Sequence, residues 1–449
     1  MSLFAGISNI AKLPDLRKRV GYTLLMLAVY RVGVFISIPG VDRNVLRAAV
    51  AKSGSGFLNL MNMFSGGALG NASIFALGIM PYISASIVMQ LLSMIVPQLA
   101  EIRKEGEAGT RKINQYTRYG CLVLALFQGM TLATQLEGMS NADLGGAAGS
   151  LGEAVLHPGW AFRIMSMLTF TTGTCFVMWV GEQITERGIG NGTSLIIFAG
   201  IVDGIPAGVF SYFQTNADNI QPLNLALVTG VVLMTVAVIV FFERGQRRIP
   251  IYYARRNVGR RVYGGQTAHL PLKVNVAGTI PPIFASSILT FPGTIGAKLK
   301  LNFLNDVQNA LIPGQWIFNV TYVGLIVFFC FFYTAVTFPA VDLADNLKKQ
   351  QAFIPSIRQG KQTAEYIDKV LTRITLGGAI YVSAVCILPG VVGDFFRVPF
   401  RWGGTSIMIV VGVALDTVSQ IETYMLKRNY EGLSGGGGSA TKIRGRRAT

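Results

Sequence analysis

Residues able to do chemistry are scarce in this chain, and where they stand says more than how many there are. His157 and His269 are the only histidines among 449 residues, which leaves a histidine-based metal or proton relay little to work with. Cys121, Cys175, Cys330 and Cys386 all fall in apolar stretches. Their separations fit neither a paired metal motif nor a disulfide framework, so packing is the default reading. Gly188, Gly190 and Gly192 are followed by Thr193 and Ser194 without the lysine that a phosphate-cradling loop needs. Any ATP must therefore be hydrolysed by a partner, and no cofactor is expected. Arg31, Asp203 and Asp416 stand inside apolar stretches, where a charge either pairs locally or faces a wet cavity. Arg163 and Glu422 sit near stretch ends, within reach of an interface. A carrier coupled to protons or ions would gather several ionisable groups near the midplane, and these three scattered charges make no such cluster.

The elements that carry these residues are ten apolar stretches: Val20 to Ile38, Ile74 to Val96, Tyr119 to Leu136, Trp160 to Val180, Leu195 to Phe213, Leu223 to Phe242, Val274 to Ile295, Trp316 to Phe338, Ile374 to Val392 and Thr405 to Thr423. Each is about 20 residues, enough to cross a ~30 Å hydrocarbon core as a helix. With 51% apolar and 14% charged residues, ten spans leave no room for a large soluble domain. The chain reads as one polytopic membrane domain. Of its 39 Lys and Arg, 30 fall in gaps that face the cytosol if both termini do, and 8 in the outer gaps and span ends. Loop Lys and Arg set orientation, so an N-in, C-in topology follows, and the net charge of +17 reads as inside-facing loops rather than nucleic-acid affinity.

Three segments do not fit a plain bundle. Phe57, Leu58, Leu60, Met61, Met63 and Phe64, followed by Ser65 to Leu69, are apolar but too short to cross. Such a piece is either a re-entrant element lining a pore or a helix on the outer surface. The gap Glu243 to Lys273 carries Arg244, Arg247, Arg248, Arg255, Arg256, Arg260, Arg261 and Lys273 against the single acid Glu243. Tyr252, Tyr253 and Tyr263 are mixed into that charge. This suits a docking surface for RNA or an acidic protein, while orientation and anionic lipid remain the plainer explanation. The gap Pro339 to Arg373 is similarly long, with Lys348, Lys349, Arg358 and Lys361. At the N-terminus Leu3, Phe4, Ile7 and Ile10 share one helical face, which reads as an interfacial helix, and no cleavable signal is evident. Near the other end Gly435 to Ser439 form a flexible tether to basic Lys442, Arg444, Arg446 and Arg447.

Six motifs carry a resemblance that spans nearly the whole chain. MFSGGALGNASIFALGIMPYISASI (Met63 to Ile87), GEQITERGIGNGTS (Gly181 to Ser194), ERGQRRIPI (Glu243 to Ile251), HLPLKVNVAGTIPPIFASSI (His269 to Ile288), ADNLKK (Ala344 to Lys349) and VPFRWGGTSI (Val398 to Ile407) resemble the bacterial SecY translocon family. The resemblance implies an all-α polytopic fold of ten transmembrane helices in two inverted five-helix halves, residues 20–213 and 214–423, with a re-entrant plug at 57–71. Residues 1–19 would be a cytosolic interfacial N-terminus and 424–449 a flexible basic tail. The implied function is the central subunit of a protein-conducting channel, a passive one rather than an enzyme. It would pass unfolded secretory chains across the bacterial inner membrane and release transmembrane helices into lipid. The energy would come from a motor ATPase, the ribosome or the proton-motive force.

Carried over by position, the family's apolar pore ring falls on Ile79, Ile83, Ile197, Ile283 and Ile409, with Thr193 standing where a further apolar residue is expected. A ring of branched apolar side chains closes a pore by dewetting and offers no hydrogen bonds that select a sequence. Without the resemblance, each of these isoleucines reads as ordinary helix packing. The plug would include Phe64, Ser65, Gly66 and Gly67. The lateral gate, between spans two and three and spans seven and eight, would include Ser84, Pro281, Pro282 and Phe291. The adjacent prolines are expected to kink span seven, although membrane helices also tolerate proline without consequence. Docking of ribosome and motor would use Arg247, Arg248, Arg260, Arg261 and Arg358. Implied partners are SecE-like and SecG-like small membrane subunits, a SecA-type motor ATPase, the translating ribosome, unfolded signal-bearing polypeptides and anionic lipids. Two other classes compete: a secondary transporter with inverted repeats, and a ribosome receptor without a pore.

Overall fold

The computed structural model describes residues 14–43, 46, 62, 65–138, 155, 157–215, 222–253, 256–258, 261–263, 267–299, 315–395 and 404–434. Phe64, Arg260, the amphipathic N-terminal face and the glycine-rich tail lie outside them. In chain order the described helices are α1 (Pro14–Gly33), α2 (Met80–Ile95), α3 (Pro97–Lys104), α4 (Glu107–Gly138), α5 (Trp160–Arg187), α6 (Gly192–Thr215), α7 (Pro222–Arg244), α8 (Ile280–Leu299), α9 (Trp316–Thr337), α10 (Ala340–Lys349), α11 (Lys361–Phe395) and α12 (Gly404–Ser434). All but the short α3 and α10 overlap one of the ten apolar stretches. In a membrane every backbone polar group must be satisfied within its own segment, which is why these stretches are helical. Their hydroxyls follow the same rule: Thr117, Thr131, Thr171, Thr235, Thr334 and Thr417 each donate to the carbonyl four residues earlier.

Among the described residues, five helical runs are apolar and long enough to cross a membrane unaided, and they involve α4, α5, α9 with α10, α11 and α12. α2 and α3 qualify only together, bent by 104°. The bend has a local cause, because Pro97 forces Val96 into an extended conformation (φ −93°, ψ 113°) and lacks the N–H that would continue the helix. α6 and α8 contain shorter apolar helices, Gly192–Pro206 and Ile280–Leu289.

The helices pack as two groups of five. In the first, α1 packs on α5, α5 on α4 and α6, and α4 on α2; in the second, α9 packs on α8 and α11, and α7 on α11 and α12. The main contacts between the groups form two seams, α6 against α12 and α8 against α2 and α4. The described chain directly before α2 is not helical. From Ser65 to Ile79 it is a run of turns with Ser65, Ala68, Leu69, Ala72, Ser73, Phe75, Ala76, Leu77 and Ile79 buried. These residues are buried turns rather than a helix, while Phe57 to Met61, Met63 and Phe64 lie outside the described residues.

One expectation is corrected. Pro281 and Pro282 do not kink a span. They lie in the first turn of α8, where backbone N–H groups have no intrahelical partner to lose, so proline starts the helix at little cost. Pro81 does the same for α2.

The basic gap before α8, where charge alone indicates no regular structure, folds as β1 (Gln246–Tyr253), β2 (Arg256–Val258), β3 (Arg261–Tyr263) and β4 (Thr267–Lys273). β1 pairs antiparallel with β4 from Gln246↔Lys273 to Tyr252↔Thr267, and its other edge takes β5 (Ala352–Phe353). β2 and β3 make a separate two-stranded ribbon. Alternation along β1 sends Ile249 and Ile251 inward, where they join Leu272, Leu347, Ile354, Ile367 and Leu371, and leaves Arg248 and Pro250 exposed. The two long basic gaps are thus one folded unit with its own apolar core.

Candidate functional site

The five isoleucines picked out by position are all buried. Ile79 and Ile83 begin α2, Ile197 lies in the second turn of α6, Ile283 in the first turn of α8 and Ile409 in α12. They are 2%, 8%, 3%, 7% and 1% exposed and belong to one contiguous apolar cluster, to which Ala68 of the turn segment also belongs. Both halves therefore contribute residues to that cluster, and the turn segment contributes Ala68. Thr193 stands one helical turn before Ile197, but its hydroxyl donates to Asn191 Oδ1 at 2.7 Å. That bond is local to the start of α6, so the hydroxyl is occupied rather than offered to the ring.

The re-entrant segment is seated by specific contacts. Gly66 has φ +65°, and a Cβ built on it would come 2.7 Å from the Cα of Gly200, so its backbone lies directly on that of α6. The Asn62 side chain accepts from Gly70 N–H at 2.8 Å, and its backbone carbonyl accepts from Gly67 N–H at 2.8 Å. From α1, Tyr30 Oη donates to the Ser65 carbonyl and Arg31 Nη1 to the Gly66 carbonyl, both at 3.1 Å. Arg31 is also ion-paired with Asp203 of α6. Two of the three in-span charges therefore pair with each other, while Asp416 lies 4.0 Å from Lys273 at an exposed position. The ring of Tyr30 stacks on Phe75, and Phe75 on Phe176.

The glycine motif after α5 has a packing role. A Cβ on Gly192 would come 1.9 Å from the Gly181 carbonyl oxygen, so the α5–α6 turn closes only with glycine there. Its amides are already taken: Ile189 by Thr23, Gly190 by Gln420 and Gly192 by Thr185. No nest for phosphate remains among them. Among the described residues no group of three or more His, Cys, Asp or Glu could hold a metal.

Comparison with known proteins decides what this arrangement is. The SecY family model matches residues 73–418. The protein translocase subunit SecY of Escherichia coli K12 is 51% identical over 93% of this chain and 94% of its own length, and that of Vibrio cholerae is 48% identical over 93% and 94%. The chain belongs to the SecY family. Among solved structures, a protein-conducting channel superposes with a TM-score of 0.62 at 14% identity, covering 99% of this chain and 100% of that one. The canine Sec61 channel solved with the ribosome gives 0.57 at 13% identity, over 99% and 100%. The fold is that of these channels, an all-α membrane domain of ten helices in two inverted halves with a plug, and the protein is a multi-pass membrane protein.

In the SecY fold the remaining candidates take these places. Ser84 is half-buried on α2, and α2 and α4 meet α8 at one of the two seams. Phe291 is placed by backbone only, in α8. Arg247 and Arg248 are exposed on β1, and Arg358 is exposed in the turn after β5, on the same folded unit. Arg261 opens β3. Sequence reasoning missed Tyr30, Asn62 and Gly200. Tyr30 had a signal, a phenol beside an in-span arginine. Gly200 had none, because only tertiary contact makes its missing side chain matter. Asn275 was missed as well: its amide donates to Glu243 Oε1 at 2.7 Å and to the Gly278 carbonyl at 2.9 Å, tying the start of α8 to the end of α7.

Proposed function

We propose that this chain is the channel-forming subunit of a protein translocase, in which unfolded polypeptide passes through the isoleucine constriction and hydrophobic helices leave by the seam of α2 and α4 with α8. The observation that supports this is that Ile79, Ile83, Ile197, Ile283 and Ile409, drawn from both halves, and Ala68 of the turn segment all belong to one buried apolar cluster. A constriction of branched apolar side chains stays dry without a chain and yields to any sequence, because it has no hydrogen bonds to match. A carrier would need a polar substrate site at midplane, and here Arg31 and Asp203 satisfy each other and the turn segment.

The driving energy in this reading comes from partners: a SecA-type motor ATPase, the ribosome or the proton-motive force. SecE-like and SecG-like subunits would brace the halves, residues 20–213 and 214–423. The basic sheet supports docking, since Arg247, Arg248 and Arg358 are exposed on one unit beside the stacked pair Tyr252 and Phe353. In proteoliposomes a signal-bearing chain should become protease-protected, and protection of no polypeptide would overturn the function. Reversing the charges of Arg247, Arg248 and Arg358 together should weaken ribosome co-sedimentation roughly tenfold, from three exposed pairs at about 0.5 kcal/mol each. The loss should shrink as salt rises. Equal affinity across the salt series would mean these charges only set orientation.

The 30-to-8 division of basic residues supports an inner-membrane protein with both termini cytosolic. Reporters fused after Arg118, Lys273 and Lys369 should read cytosol and those after Gly149 and Asn305 the outside. A cytosolic signal at Gly149 would reverse the orientation.

A further inference from the structure

We infer that Arg31 and Asp203 form a clasp that holds the plug shut, and that both are positioning residues for the closed state rather than parts of the conduit. The inference rests on reading the re-entrant turns from Ser65 onward as the plug. Charges are rare at membrane depth and must find partners. Arg31, eleven residues into the first apolar stretch, finds three. One guanidinium nitrogen, Nη2, is paired with Asp203 of α6, and the other, Nη1, donates to the Gly66 carbonyl at 3.1 Å. The guanidinium carbon lies 5.0 Å from the centroid of the Phe35 ring.

The plug is thus bonded at a backbone carbonyl, which is available only while Gly66 sits against Gly200. Asp203 lies three residues beyond Gly200 on the same helix, so α6 supplies both the seat and the anchor of the clasp. Arginine suits this geometry, because its planar fork presents two separate nitrogens to two acceptors, whereas a lysine ammonium gathers its donors on one nitrogen that must lie near both acceptors at once. The side chains of Arg31 and Asp203 are 31% and 40% exposed, so packing does not seal the pair and its bonds can be exchanged when the plug leaves. Tyr30, donating to the Ser65 carbonyl, is a second and uncharged hold on the same turn. The clasp joins α1, α6 and the plug, all within the first half, so the seam of α2 and α4 with α8 can part without breaking it. Plug release and lateral opening are then separable steps.

The test is the resting ion conductance of the complete reconstituted complex in planar bilayers, with no polypeptide substrate. Asp203→Asn should raise the time-averaged leak about tenfold, the factor for one charge-assisted hydrogen bond held in partly wet surroundings. Arg31→Lys should raise it too, since one of the two acceptors goes unserved, and Asp203→Glu should restore tightness. Arg31→Gln combined with Asp203→Asn should leak no more than the worse single variant, because the two residues act as one unit. Deleting Ser65, Gly66 and Gly67 serves as the reference. If the deletion leaves the leak at the parental level, the plug reading itself is wrong. If the deletion leaks while Asp203→Asn and Arg31→Lys stay as tight as the parent, the plug stands and the clasp does not. Additive leaks in the double variant would also overturn it, showing two independent packing defects.

Discussion

Replacing Ile283 or Ile409 with asparagine should raise the resting ion leak of the channel roughly thirtyfold. The estimate follows from where these side chains sit. Both are buried, at 7% and 1% exposure, in the cluster to which both halves and Ala68 of the turn segment contribute. An unpartnered amide there recovers about 2 kcal/mol by holding water, and each 1.4 kcal/mol is about tenfold in the population of the wet state. Ile83→Asn should behave alike, since Ile83 lies one helical turn from Ile79 on α2. Ile283→Val should keep the seal, because it removes one methylene and adds no polar atom. Thr193→Ile should leave the leak unchanged, as the Thr193 hydroxyl is already given to Asn191. The measurement is bilayer conductance at matched protein yield. Asparagine variants that express less yet leak no more than the parent would make these isoleucines packing residues and remove the constriction from the mechanism.

The second large effect is a covalent lock on the lateral seam. With Cys121, Cys175, Cys330 and Cys386 replaced, Ser84→Cys and Phe291→Cys place one thiol on α2 and one on α8, helices that touch. A disulfide between them requires Cα atoms within about 7 Å. Once formed, it should reduce export and helix insertion to background, and reduction should restore both. The physical reason is that lateral release needs one seam of the bundle to part while α6 and α12 hold the other together. A disulfide formed to completion with translocation and insertion at parental rates would sink the gate assignment. Loss of insertion alone, with export intact, would mean the seam opens to lipid but not for passage through the constriction.

How far the primary structure reaches is clearest at particular residues. Ten apolar stretches are enough to specify ten helices, because hydrocarbon leaves the backbone no option but internal hydrogen bonding, and the alternating bias of basic loops is the basis of the proposed orientation, because loop Lys and Arg resist translocation. The same reasoning singled out Arg31 and Asp203 as needing partners. It could not say that they partner each other, since 172 positions separate them and only the packing of α1 on the first half brings them together. The short apolar segment before α2 was legible as something that does not cross. Its burial, and the seating of Gly66 on Gly200, belong to tertiary structure, because a bare glycine matters only through what approaches it.

Pro281 and Pro282 show the limit from the other side. Their chemistry is fixed, yet whether they kink a helix or start one depends on where α8 begins, six residues later than hydropathy places the span. Hydropathy measures the transfer of side chains to lipid and is silent about buried turns that precede a helix, such as those holding Asn275 and Ala277. In the same way, charge marked two basic gaps, and only the pairing of β1 with β4 and β5 made them one surface carrying Arg247, Arg248 and Arg358. Apolar content and loop charge act locally and can be read along the chain. The buried isoleucine cluster, the Arg31–Asp203 pair, the contact of α2 and α4 with α8 and the basic sheet are meetings of distant segments, set by packing, and they exist only in the folded molecule.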